Sequence, residues 1–491
     1  MDSRLSDDTP KQIRIISLNC WGLKFLAKFR HERLSEIGRQ LAAASPPPDI
    51  IGLQECWTKE DYESIRDTLR EKLGLQYSKF YYSGIFGGGL VIISRWPIEE
   101  TSMVRYPLNG RPTAFFRGDW FVGKGVACAR IRFGKGKKDV AEVFCTHLHA
   151  PYEREPNDSY ICHRTAQAWE IAKLMRGAAE RGHLVLGLGD FNMIPLSLAH
   201  RLIEAHSPVR DVWRIKHPDS SIGAARDEVE QKRGRPMPNA RFNITENGAT
   251  CDSALNTWRW NEAHRKRLEK GLPVTVEDTV EDPRAKRLDY IFFSCGESSP
   301  SANNDTDWVL DKVDVGMMQR HPQLRCSLSD HFSVEVTIRR ADNSSPPNGH
   351  SAPSRPLSPV LPVSAYDEIL AMIQKYTARE YRQRRFRLCH FVGQFFLAIG
   401  CLIAVWWSPR NFVSFILMLV STLGLSAGVI DGLIGGLFVG SELRALREFE
   451  WEIRNAKEAA AAAGQPADQY KAADEEAVEE MPQESDSADG V

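Results

Sequence analysis

The stretch His183 to Asn192, HLVLGLGDFN, carries six consecutive apolar or glycine residues into an Asp and an Asn two positions apart. A short apolar run of this kind reads as a buried strand. The glycines of GLGD allow a tight turn, and side chains two apart at a strand end point the same way. The run therefore delivers Asp190 and Asn192 together to one edge of a sheet.

Five other short apolar runs have the same form on either side of it. They bring Asn19 in SLNCWG, Glu55 in GLQECW, His147 in THLHA, Asp289 in RLDYIFF, and the pair Asp330 and His331 in SDH. One polar residue at a strand end is usually a turn or cap. A succession of carboxylates, amides and imidazoles in this setting suits phosphoester hydrolysis assisted by a hard metal ion.

The intervening sequence sets the fold class. Residues 13–19, 49–55, 88–95, 126–133, 143–149, 183–190, 288–293 and 331–338 read as strands, and 161–181 carries apolar positions at helical spacing. Buried strands interspersed with covering helices predict a two-sheet α/β sandwich over residues 11–340. The stretch 215–287 is too long for an ordinary loop and is the place to look for substrate contacts.

Composition narrows the class further. The chain has 491 residues, 42% of them hydrophobic, and a formal net charge of -1, so no global basic field for gripping nucleic acid exists. Its ten cysteines form no CxxC pair and lie in or beside apolar runs, which reads as reduced core residues rather than a disulfide or zinc framework. The first 30 residues lack the basic-then-apolar layout of a signal peptide.

Beyond residue 340 the composition changes. Residues 341–363 are rich in proline and serine and predict an extended linker, and 364–387 a basic juxtamembrane helix. Residues 388–407 and 412–430 then run without charge, the second extending toward 440, and each is long enough to cross a hydrocarbon core of about 30 Å. Six basic residues before this hairpin, against Arg410 alone in its loop, place the catalytic domain and both termini on the cytosolic side. Small residues at 424, 428, 432, 436 and 440 suit close approach of the two helices. Asp431 reads either as a functional intramembrane charge or as the end of the second span. Residues 441–463 predict a solvated cytosolic helix, and 464–491 an acidic tail without chemistry.

These motifs, in this order, resemble the DNase I-like endonuclease/exonuclease/phosphatase superfamily. LNCWGL (18–23), QECW (54–57), HLHAPY (147–152) and HRTAQAWE (163–170) are most similar to the neutral sphingomyelinases and fungal inositol phosphosphingolipid phospholipases C. The resemblance implies an Mg²⁺-dependent phospholipase C that cleaves membrane phosphosphingolipids to ceramide and a phosphorylated head group, with anionic phospholipids as activators. It implies Glu55, Asn19, Asp190 and Asp330 around the metal, Asp330 being equally open to a turn role. His331 becomes the general base, Asp289 the group that orients it, and His147 a phosphate or leaving-group contact.

Asn192, Asp190, His149, Lys124 and Asp119 are then expected at the substrate. GDWFVGKG (118–125) has Gly125 where a nucleotide P-loop needs Ser or Thr, and it reads as a β-turn edge. In the resembling family the Asp119 to Lys124 element lies near the active site and is implicated in lipid-dependent switching. The alternatives are a phosphatase or nuclease of the same fold, or an inactive membrane adaptor.

Overall fold

The computed structural model describes residues 9–153, 158–295, 308–340 and 361–462. Most of the expected linker and all of the acidic tail from 464 onward lie outside the described residues.

Two six-stranded sheets face each other. The first runs β11–β12–β1–β2–β4–β3, formed by β1 (Gln12–Asn19), β2 (Ile50–Gln54), β3 (Tyr77–Tyr81), β4 (Leu90–Ser94), β11 (Trp308–Gly316) and β12 (Ser333–Arg340). The second runs β5–β6–β7–β8–β10–β9, formed by β5 (Ile98–Arg105), β6 (Gly125–Arg132), β7 (Val140–His147), β8 (Leu184–Asp190), β9 (Arg210–Asp211) and β10 (Asp289–Ser294). Every expected strand is present. β3, β5, β9 and β11 are additional, because their partly exposed, charge-bearing sequences lack a continuous apolar run.

The alternation within β1 shows how the layers form. Ile13 and Ile15 point between the sheets, against residues such as Val143 and Leu188, whereas Ile16 and Leu18 point outward onto the helices Arg30–Ala43 and Lys59–Leu73. The second sheet is covered in the same way by Ile161–Glu180 and Leu198–His206.

The C-terminal helices depart from expectation. Val363–Ala404 is one continuous helix, so the basic segment and first apolar span are a single rod. The second span continues from Asn411 through a π-helical turn, Ile434–Phe438, into Val439–Ala462. Both helices are long and apolar enough to cross a membrane.

The helix expected to be solvated is packed. Leu446, Phe449 and Ile453 join Tyr366, Ile369 and Ile373 in one cluster with Trp169 and Ile171 of the catalytic domain. Apolar residues at i, i+3 and i+7 form a buried stripe there, while Trp451, Arg447 and Arg454 face out. Asp431 does not end a helix; it pairs with Arg387 and with His390 Nδ1, the latter at 2.7 Å. Of the small residues, Gly424, Gly428 and Gly432 abut Gln394 and Phe391 of the first helix, and Gly436 lies near Leu388 of the same helix.

Candidate active site

The registry of the central strands assembles the site. In each sheet the central parallel pair, β1 with β2 and β7 with β8, ends at the same edge. Asn19 ends β1, Glu55 follows β2, and His147 and Asp190 are partners at the ends of β7 and β8. β10 is antiparallel to β8 with Asp289 opposite Asp190, and His331 precedes β12, which is antiparallel to β1. Antiparallel neighbours begin where the parallel strands end, so residues far apart in sequence meet.

Local backbone fixes two of them. Glu55 and Asn192 adopt φ of 54° and 47°, a region costly for non-glycine residues and enriched at functional sites. Gly22 must be glycine because an added Cβ would lie 2.3 Å from the Glu55 carbonyl oxygen.

Asn19 is the hub. Its Nδ2 donates to Glu55 Oε1 at 3.1 Å and to Asp190 Oδ2 at 3.0 Å, while its Oδ1 accepts the Trp21 N–H. In this orientation it presents N–H to the carboxylates and positions them, rather than offering an oxygen. Asp190 Oδ1 accepts the Asn192 backbone N–H, and Asn192 Nδ2 donates to the Leu148 carbonyl.

Glu55 Oε2 is buried without a hydrogen-bond partner among the described residues. Burial and the nearby Asp330 raise the Glu55 pKa, and burial with Asp289 pushes Asp190 up to about 7. An orphaned carboxylate oxygen among hard oxygen donors fits a divalent cation such as Mg²⁺.

His331 Nδ1 lies 2.8 Å from Asp289 Oδ2, and its Nε2 lies 4.0 Å from Asp190 Oδ2. Burial lowers the His331 pKa, but the charges of Asp289, Cys251 and Asp190 outweigh it and hold the value well above the ordinary one. His147 Nε2 is 3.5 Å from Asp190 Oδ2; burial, Lys124 and His331 press its pKa well down, so it is neutral. Asp190, Asp289 and His331 offer atoms all within 4.8 Å of one another.

Lys124 is buried and donates to the carbonyls of His147 and Leu148 at 3.3 and 3.1 Å, leaving one of its three donors for a phosphate oxygen. Asp330 stands at the rim, 3.9 Å from Arg259. Asp119 and His149 lie 3.8 Å apart, and His149 stacks on Tyr160; the charge of Lys124 acts on both. GDWFVGKG forms a one-turn helix, Asp119–Val122, rather than a β-turn edge, because Gly118 and Gly123 bracket it with positive φ.

Several site residues had no local sequence signal. Arg33 is fully buried and donates to the carbonyls of Cys20, Trp21 and Leu328, tying the segments that carry Asn19 and Asp330. Within the 215–287 stretch, residues 247–260 are largely buried and pack beside the site. Its Cys251 bridges to His331, and Trp258 lies 4.7 Å from Trp21. The TWRW run (257–260) is the one hint the sequence offered.

Residues 16–331 match the endonuclease/exonuclease/phosphatase family. Over 460 residues the chain is 37% identical to an inositol phosphosphingolipids phospholipase C of Schizosaccharomyces pombe, covering 92% of this chain and 96% of that protein. It is 32% identical to the protein of the same name in Saccharomyces cerevisiae, over 91% and 90% of the two chains. Sphingomyelin phosphodiesterase 2 of Rattus norvegicus is 37% identical over 41% of this chain and 46% of its own. Among solved structures, TDP2 from C. elegans aligns with a TM-score of 0.44 at 19% identity, over 68% and 77% of the chains.

Proposed function

The chain belongs to the endonuclease/exonuclease/phosphatase family, in the branch of the inositol phosphosphingolipid phospholipases C and neutral sphingomyelinases, and we propose that it hydrolyses phosphosphingolipids at a membrane. The products are ceramide and a phosphorylated head group. The observation that carries this reading is the His331–Asp289 pair facing an Asn19-linked pair of carboxylates.

His331 Nε2 accepts a proton from the attacking water, and Nδ1–H remains bonded to Asp289, which stabilises the imidazolium that results. The oxygen of that water joins phosphorus as the bond to the ceramide oxygen breaks, and the leaving oxygen takes up a proton from solvent to give the ceramide hydroxyl. Neutral His147 donates a hydrogen bond to a phosphate oxygen, and Lys124 supplies a further donor to the developing charge. Glu55, Asp190 and Asp330 would hold Mg²⁺. When bound, the cation supplies charge neutralisation at the phosphate and offsets the carboxylates that otherwise keep His331 protonated.

The two apolar helices support placement of this site at a bilayer, and the basic residues before the first span favour the cytosolic side for the catalytic domain. Arg379 and Arg387 are engaged by Glu380 and Asp431, which leaves Lys375, Arg382 and Arg385 exposed toward anionic lipid.

The test incubates purified protein in detergent with labelled inositol phosphoceramide and sphingomyelin, with and without Mg²⁺. Ceramide release that requires Mg²⁺ and His331 is expected. Cleavage of DNA or a soluble phosphomonoester, with ceramide from neither lipid, removes the lipid assignment.

A further inference from the structure

One group of charged side chains beside the base takes no part in the mechanism above. Three short segments lie edge to edge there: Cys251 bridges to Lys286 on one side and to His331 on the other, and the Phe332 N–H donates to the Thr250 carbonyl at 2.8 Å. This pairing sets Asp252 and Lys286 next to the general base, and the 3₁₀ turn Thr257–Arg259 returns Arg259 to them. Asp252 Oδ1 lies 2.7 Å from Arg259 Nε and its Oδ2 lies 3.1 Å from Lys286 Nζ, while Arg259 Nη2 lies 3.9 Å from Asp330 Oδ2.

The group is polar and open to an incoming molecule. Asp252, Lys286 and Arg259 keep 21%, 26% and 34% of their side-chain surface exposed. Burial raises the Asp252 pKa, but Lys286 and Arg259 outweigh it and hold the value below the ordinary one, so the carboxylate is ionised. The Lys286 ammonium meets only Asp252 among the described residues, which leaves N–H groups to donate.

Such a rim offers acceptors and donors side by side. A vicinal diol both donates and accepts, so adjacent ring hydroxyls match it. A trimethylammonium group does neither and would meet two cations. Its usual partner is an aromatic cage, and the aromatic pair at this site is taken: the buried Arg33 guanidinium stands 4.7 Å from the Trp21 ring and 5.6 Å from that of Trp258. Position agrees with chemistry. The attacking and leaving oxygens stand in line across phosphorus, so the head group that stays on phosphorus projects sideways from that axis, and the charged group flanks the base at its water end.

We propose that Asp252, Lys286 and Arg259 form the head-group subsite and select a polyol such as inositol over choline by hydrogen-bonding its ring hydroxyls. This rests on the reading that the chain hydrolyses phosphosphingolipids.

The test compares the full chain with Lys286→Met and Asp252→Asn in mixed detergent micelles that hold either inositol phosphoceramide or sphingomyelin, at equal surface fraction and saturating Mg²⁺. The ratio of kcat/KM for the inositol lipid to that for the choline lipid should fall about ten-fold or more in each variant, through KM, the size of one hydrogen bond to a charged group. If the wild type cleaves the inositol lipid alone, a rise in its KM with kcat held carries the same weight. A second measurement needs no turnover. With Mg²⁺ present, myo-inositol 1-phosphate should raise the melting temperature of the wild type more than phosphocholine does at equal concentration, because both carry the phosphate and only one carries ring hydroxyls. Lys286→Met should erase that difference.

Ceramide from both lipids with the ratio unmoved by the variants overturns the subsite alone. Equal losses on the two lipids, carried by kcat, do the same, since the group then only positions His331. Cleavage of sphingomyelin alone, or equal protection of the wild type by the two soluble phosphates, also overturns it. Ceramide from neither lipid in the wild type removes the phosphosphingolipid reading and the subsite with it.

Discussion

His331 Nδ1 and Asp289 Oδ2 stand 2.8 Å apart, although 42 residues separate them in the chain. Asp289 opens β10 and His331 precedes β12, so the bond joins the two sheets across the site. It fixes the imidazole with Nε2 toward Asp190.

Removing the base tests the mechanism. We expect His331→Ala to lower kcat by about 10² to 10⁴, with the fold retained by circular dichroism. Asp289→Asn keeps the shape but removes the charge that raises His331. The acidic limb of its pH–rate profile should therefore move to lower pH. An unmoved limb would mean that a different group titrates.

Glu55 reports on the metal without turnover. Ligand present at 100 times its Kd stabilises a fold by about 2.7 kcal/mol, so Mg²⁺ should raise the melting temperature of the wild-type protein. Glu55→Gln should flatten that response. An equal rise in both proteins excludes Glu55 as a ligand.

The junction between helices and catalytic domain carries a titratable cluster. Glu442 Oε1 accepts from Tyr376 at 2.7 Å and lies 3.1 Å from His163 Nε2, with Glu380 and Arg379 alongside. Burial raises both Glu380 and Glu442 to about 7. The folded state thus holds protons that the unfolded chain releases near pH 4.5. Stability should fall as pH rises from about 4.5 to 7, by roughly 3 kcal/mol for each group that fully ionises, and level off above. Glu442→Gln should flatten the slope of melting temperature against pH over that range.

Packing of the C-terminal helices is testable on the same scale. Ile369 and Ile453 are fully buried in the shared cluster, so alanine at either should cost about 2 to 5 kcal/mol in chemical denaturation. Helices hanging free of the domain would show no loss.

The legible parts of the fold were those with a local signature. β8 is apolar from end to end and announces itself, and a polar residue closing such a run marks the site edge, as Asp190 and Asn19 do. β5, IEETSMVR, is largely exposed and charged, so nothing in its neighbourhood set it apart from a loop. Arg33 and Cys251 reach the site through contacts between distant segments, which leave no periodic trace. The helix around Phe449 was misread for another reason. Its Leu446, Phe449 and Ile453 stripe was present, but the charges interleaved with it masked the buried face.

The unbroken helix from Val363 to Ala404 has a mechanical consequence. Its first turns are locked to the catalytic domain and its last turns are apolar, so the proposed membrane placement would hold the active site at a fixed height above the bilayer. A rod rising 1.5 Å per residue turns membrane thickness into a ruler. Under that proposal the height of the site would depend on the thickness of the host membrane as well as on the protein.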